Sequence, residues 1–428
     1  MRLCHPNENW EERKDKKMKL RSILLGLTLI QAGTAFATDG YFSTGCGMKQ
    51  LGQGGAGVAL PQDSLAGAIN PAGMVFVGDR FDLGMTFFRP IRSGSITGSA
   101  APVNGLYDAS RHKNFFIPEL GFNHLLGSRY SAGVSICGNG GMNTSYTTPI
   151  PLLGTTRAGV DLEQLFVSPT VAFKATPHQA LGVALNIGWQ RFSAEGLQNF
   201  TQPGFSIDPA NLTNRGYNAS YGVGFRVGWV GEFGNVLNLG VTFQSRTYMQ
   251  KFDKYRGLFA EQGGFDIPAN VAGGVALKPT PKATVLFDVE RIFYGQVKSI
   301  ANLDSNQAQL GADNGPGFGW HDITAVKTGV SYKISSPLTV RAGYNHSGLP
   351  FDGTQTFFNL LAPAVVQHHL TAGATLALHN GKEVNLAYQH AFQKTVNGVN
   401  SISPGFGGGE ANLKMYQDSI GLSFGWGR

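Results

Sequence analysis

Three short patterns in this 428-residue sequence have the spacing of known chemistry. Gly52-Gln53-Gly54-Gly55-Ala56-Gly57 satisfies G-x-G-x-x-G, the turn that cradles a dinucleotide pyrophosphate. That turn works only between a strand and a helix, with an acidic residue about 20 positions on. No strand precedes it here and no βαβ pattern surrounds it. Gly421-Leu422-Ser423-Phe424-Gly425 satisfies G-x-S-x-G, in which a strand-to-helix turn exposes a nucleophilic serine. Ser423 instead lies inside the last alternating run, with no helix left to follow. His368-His369 offers two imidazoles, but strand neighbours face opposite sides, which suits a polar loop end better than a metal. The residues therefore point to no catalytic centre, no metal and no cofactor.

Two further sets could matter to binding. Arg226, Arg246, Lys327 and Arg341 fall on the small or polar parity of alternating segments, as do Asp288 and Glu290. The cations could meet a carboxylate, or the set could be a solvated ladder. Cys46 and Cys137 could form a disulfide in an oxidising compartment, or remain two buried thiols. The remaining cysteine, Cys4, lies in the leader.

The elements that must position these residues are strands. Leu181, Val183, Leu185, Ile187 and Trp189 alternate with small or polar residues, as do Tyr221 through Trp229, Leu370 through Leu378 and Ile420 through Trp426. The pattern predicts fourteen strands near 79–92, 113–126, 129–138, 161–175, 179–195, 217–233, 235–250, 264–279, 281–298, 320–334, 337–347, 364–379, 382–396 and 412–427. Many exceed ten residues, long for a sandwich but suited to a tilted membrane crossing. Short turns at Gly127-Ser128, Thr176-Pro177-His178, Gly234, Pro279-Thr280-Pro281, Ser335-Ser336-Pro337 and Asn380-Gly381 alternate with loops of about a dozen residues or more, such as 139–160 and 299–319. Short turns on one rim and long loops on the other mark an all-β, transmembrane antiparallel barrel. Inward placement of the charges follows, because a charge facing lipid costs about 2–4 kcal/mol at the midplane.

Composition agrees. Glycine numbers 59 and charged residues make up only 14%, against about 25% in soluble domains. Residues 1–37 read as a leader: Lys19 and Arg21, the apolar run Ile23–Ile30, then Ala35-Phe36-Ala37, with Met18 a candidate true start. Removing them takes 7 basic and 4 acidic residues, leaving 27 against 23 and a formal charge of +4. No basic cluster with interleaved aromatics speaks for nucleic acid. Residues 38–78 break the strand pattern with small side chains, and irregular backbone is tolerated at membrane depth only when protein surrounds it. They are expected to plug a barrel formed by 79–428.

That Gly/Ala-rich segment leading to Asn70-Pro71-Ala72-Gly73 resembles the FadL/TodX-type outer-membrane transporters of long-chain fatty acids and hydrocarbons. Phe265-Asp266-Ile267-Pro268-Ala269, Asp288 through Tyr294, Gly315 through Trp320, Arg341-Ala342-Gly343-Tyr344 and Gln417 through Leu422 are similar to the same family. The resemblance covers essentially the whole mature chain. One departure is the end, Phe424-Gly425-Trp426-Gly427-Arg428, where such chains often finish on an aromatic. The resemblance implies a fourteen-stranded, monomeric barrel in the bacterial outer membrane, in contact with its lipid, with an N-terminal hatch and no cofactor. It implies capture on apolar outer loops, a lumenal pocket, a hatch shift and sideways release. Thr38, Asp39, Tyr41 and Phe42, with Asn70, Pro71, Ala72 and Gly73, are then the hatch and gating residues. Ile150, Leu152 and Leu153, with Phe357, Phe358, Leu360 and Leu361, are apolar loop clusters that could receive the ligand or pack as a lid. A long-chain fatty acid is the expected partner, an aromatic hydrocarbon the alternative. An outer-membrane lipid hydrolase would need a nucleophile motif, and a non-specific porin would lack the plug.

Overall fold

The computed structural model describes residues 39–427, so the leader and Thr38 lie outside the described residues. The strands forming the barrel are β1 (Arg80–Thr97), β2 (Phe115–Leu126), β3 (Tyr130–Ser145), β4 (Gly159–Thr176), β5 (Gln179–Glu195), β6 (Asn218–Phe233) and β7 (Leu237–Gln244). The ring continues through β8 (Asn270–Thr280), β9 (Ala283–Ile292), β10 (Ile323–Lys333), β11 (Leu338–Ser347), β12 (His368–Ala377), β13 (Lys382–Val396) and β14 (Glu410–Gly427). Each pairs with its neighbours antiparallel, and β14 closes on β1 from Arg80↔Gly427 to Thr97↔Glu410. Closure leaves no free edge. Two short strands, Gly105–Asp108 and Tyr248–Met249, add to β1 and β6. Among the described residues no helix is long and apolar enough to cross a membrane.

The alternation explains the wall. On β5, Leu181, Val183, Leu185 and Ile187 are exposed while Gly182, Ala184, Asn186 and Gly188 are buried. Apolar side chains face outward because lipid is their solvent. Aromatic pairs at the short-turn rim, Phe81–Trp426, Tyr130–Phe173 and Trp229–Phe233, form the girdle expected at a membrane interface. At Asn380-Gly381 both residues have positive φ, 59° and 70°, the two-residue turn whose twist matches a hairpin.

Several boundaries differ from expectation. β3 runs to Ser145, through a bulge between Gly138 and Gly140; glycines lacking side-chain alternation hid its upper half. β7 stops at Gln244, and β9 at Ile292, where short helical turns at Tyr294–Gln296 and Lys298–Ala301 begin. Arg246 is therefore not on a wall strand. It lies just beyond β7, whose ladder ends at Gln244 opposite Arg226 and Asn270, and it pairs with Asp266 at 2.7 Å.

Residues 39–78 fold into short turns, with helical pieces at Met48–Leu51, Ala66–Ile69 and Pro71–Phe76. They touch the inward parity all around the ring: Ser64 donates to Asp82 of β1, Gly57 and Val58 N–H donate to Asp288 of β9, and Gly54 N–H donates to Thr371 of β12. A segment that meets strands on every side occupies the interior. The small residues permit it. Gly54, at φ +69°, has the backbone of Tyr344 and Thr328 where a Cβ would stand.

Candidate functional site

Asn70-Pro71-Ala72-Gly73 is a knot. Asn70 Oδ1 accepts from Ala72 N–H at 3.2 Å and so caps the 3-10 turn that Pro71 begins. Its amide donates to Val58 O at 2.9 Å and to Trp229 O at 3.0 Å. Gly182 and Gly228 lie against Pro71 and Asn70, where a side chain would collide. The geometry bolts this turn to β5, β6 and β7. Farther along the interior segment, Lys49 pairs with Glu383 at 2.6 Å, and Arg80 joins both Asp82 and Glu383.

The other end of the segment is held differently. Asp39 lies 3.1 Å from Lys327 Nζ, which also meets Glu290 at 2.7 Å and donates to Thr44 O at 2.8 Å. Asn345 donates to Asp39 at 2.9 Å. The Tyr294 hydroxyl donates to Asp39 O at 2.6 Å and accepts from Tyr41 N–H at 3.1 Å. Ser43 N–H donates to Asn139 O, and Gly141 N–H to Tyr41 O, so residues 41–43 run as a ribbon along the β3 bulge. Three residues on, Cys46 and Cys137 of β3 are joined by a disulfide.

Above Tyr41 stands a column of apolar side chains. Its rings pack Tyr41 on Tyr294 (5.2 Å), Trp320 (5.9 Å) and Phe265 (6.3 Å), then Phe265 on Phe259 (4.8 Å) and Phe259 on Phe192 (4.7 Å). Phe192, Phe259, Phe200, Phe358 and Leu361 line an apolar cavity of about 40 Å³. Phe200 packs against Phe358, Phe205 and Phe406 at the long-loop rim. Aromatic pairs at 4.5–7 Å are mutually favourable, so packed apolar side chains run from Phe192 down to Tyr41 and Phe42, and the cavity separates Phe192 from the Phe200 group at the rim.

The loop clusters belong to the same apolar core. Ile150, Leu152, Leu153, Phe357, Leu360 and Leu361 are buried, and Phe358 is half-buried. They form one cluster, the packed arrangement that the sequence left open beside an exposed receiving patch, because water above the rim drives them together. Sequence reasoning missed Phe192 and Phe259, and it quoted Phe265 and Trp320 only within family-like segments, without a site role; the four come from separate segments and meet only in the fold. Two loops of the rim meet where Asp304 N–H donates to Gln355 at 2.9 Å. Burial, reinforced by Asp352, raises the Asp304 carboxyl to about 7.

Below Phe42 the surroundings change. A cavity of about 90 Å³ beside Ser43–Gly45 has a mixed lining, with Asn186, Arg226, Gln244, Asp288, Glu290 and Lys327 facing Phe42, Val58, Ile69 and Phe166. Arg226 bonds Ile69 O and Gln244, and Arg341 bonds Thr375 at 2.6 Å. Arg226, Lys327 and Arg341 thus project inward beneath the column, and Lys327 is already engaged by two carboxylates. On the other side of residues 43–45 is a smaller cavity of about 30 Å³, lined by Phe88, Ile117, Pro118, Cys137 and Gly138. It backs onto a break in the wall. β2 and β3 are paired only from Leu120↔Ile136 to Leu126↔Tyr130. Phe115–Glu119 therefore have no ladder partner on β3. Among the described residues no group of three His, Cys, Asp or Glu could hold a metal; His368 faces out beside His346, and His369 faces in.

The family model described as outer membrane protein transport protein (OMPP1/FadL/TodX) matches residues 27–405. The chain belongs to that family: it is an integral protein of the bacterial outer membrane and a transport channel, not an enzyme. Its fold is similar to the Pseudomonas putida toluene transporter TodX, at 18% identity, 92% of this chain, 99% of that one and a TM-score of 0.68. A Pseudomonas aeruginosa FadL homologue matches at 15% identity, 90% and 99% coverage and 0.69. The Ralstonia pickettii toluene transporter TbuX matches at 16%, 89% and 98% coverage and 0.62. No curated protein matches significantly.

Proposed function

We propose that this family member carries long-chain fatty acids or similarly apolar molecules inward by passive descent and sideways release. The supporting observation is the run of apolar side chains from the loop cavity to Tyr41 and Phe42, beyond which Arg226, Asp288, Glu290 and Lys327 first enter the lining. Each buried methylene gains about 0.8 kcal/mol, so a hydrophobe is held in the column and disfavoured below it. Residues 39–45 form the gate at its foot. The unpaired stretch of β2 and β3, reached through the cavity beside Phe88 and Ile117, is the proposed exit into lipid. That route keeps the tail out of water. Asn70–Gly73 anchors the hatch. Arg226 and Arg341 lie too low to greet a carboxylate before the gate opens, and are assigned a later contact or a structural role.

A second reading has its own support. Rings dominate the column, and TodX and TbuX are named as toluene transporters, so an aromatic hydrocarbon is the alternative cargo. Purified protein in lipid vesicles, offered labelled palmitate and labelled toluene in competition, tests both. Saturable palmitate transfer, little affected by toluene, supports the first reading; toluene transfer without palmitate transfer replaces it. Transfer of neither defeats the proposal.

A further inference from the structure

The disulfide lies at a junction that its neighbours make informative. It joins Cys46 of the interior segment to Cys137 of β3 across 91 residues, with Cα atoms 6.2 Å apart. Cys137 immediately precedes the β3 bulge and stands on the lip of the unpaired stretch opposite Phe115–Glu119. Upstream, Ser43, Thr44 and Gly45 line both the 90 Å³ and the 30 Å³ cavities, so this short strip is a partition with space on either side. Its holds are reversible hydrogen bonds and one ion-pair cluster. Downstream, the Gly47 N–H bonds Glu119 at 3.1 Å, Lys49 bonds Glu383, and the chain is tied to strands around the ring.

We propose that Cys46 and Cys137 are positioning residues for the transport gate, and that their disulfide is its fixed hinge. This rests on the reading of residues 39–45 as the gate. With the bond in place, displacement of Tyr41 and Phe42 swings only the strip upstream of Cys46, into the flanking cavities. The hatch body stays seated, so the gate opens toward the β2–β3 break without uncorking the lumen. Without the bond, the strip moves together with residues 47–56, which Gln50 couples to one another by accepting from Gly55 N–H and donating to Gly55 O. A covalent link removes conformations that noncovalent contacts leave accessible, and a local opening is limited by the next firm attachment along the chain.

The test uses the full-length folded barrel in detergent, comparing wild type with the C46S/C137S double variant by hydrogen exchange. Heat-shifted mobility in gel electrophoresis confirms that each is folded, and C46S alone provides a second unbridged form. In wild type, fast exchange should stop at residue 45. In both unbridged forms, amides of residues 47–56 should exchange at least tenfold faster, while wall strands remain unchanged. The same variants in vesicles should pass small sugars that wild type excludes. Unchanged exchange at 47–56 in both folded variants would overturn the hinge. Because exchange and sugar entry need no hydrophobic cargo, that result is separable from a wrong cargo. Equally fast exchange across 39–56 in wild type would also overturn it.

Discussion

Lys327 would hold the proposed gate at a single residue. Its ammonium is shared by Asp39 of the interior segment and Glu290 on β9, and removing one partner of a buried ion pair costs about 3–5 kcal/mol. Lys327→Met should therefore release residues 39–43, seen as at least tenfold faster hydrogen exchange there while the wall strands keep their protection. Equal protection of the strip in the variant would show that Asp39 is held by Tyr294 and Asn345 alone. Asp304 provides a pH dependence. Its carboxyl is raised to about 7 from an ordinary value of 3.8, first by burial and then by Asp352. The folded loop thus keeps a proton that the loosened loop gives up, so the stability of the contact falls as pH rises from about 4 to about 7. Exchange at residues 303–306, corrected for its intrinsic pH dependence, should quicken between pH 5 and pH 7.5. Asp304→Asn should flatten that response; a wild-type profile without pH dependence would contradict it.

At the scale of elements, the long loops act as one apolar unit. Phe358 joins the 348–367 loop to Phe200 of the 196–217 loop and lines the cavity above the column. Burying a large apolar side chain contributes roughly 1.5–3 kcal/mol, so Phe358→Ala should weaken capture of a hydrophobic cargo by about tenfold or more. A titration of cargo onto the detergent-solubilised barrel reads this as a rise in Kd, while heat-shifted mobility stays that of a folded barrel. An unchanged Kd would remove this cavity from the route. The wall strands and their short turns were readable in advance because each strand repeats a local rule, apolar toward lipid and small toward the lumen. The upper half of β3 was not, since Gly138, Gly140 and Gly141 carry no side chains to alternate. Arg246 was misplaced for a related reason: the parity of β7 continues in sequence past the point where its ladder stops.

For the molecule as a whole, closure of β14 on β1 and the filled lumen imply a tight vessel. In lipid vesicles the wild-type protein should transfer hydrophobic cargo without any energy source, and should not admit small sugars. Liposome swelling in arabinose reads the second point, and rapid swelling would favour an open pore over a plugged one. The sequence by itself determined the barrel, its strand number and its rim of long loops. Side-chain parity and turn length are written locally and lipid selects among the alternatives. Only the tertiary structure decided which inward residues meet. The Cys46–Cys137 bridge, the sharing of Lys327 between Asp39 and Glu290, and the column from Phe192 to Tyr41 all join residues far apart in sequence. Those meetings depend on register around a closed ring and on how a small-residue segment settles within it, and no local pattern specifies either.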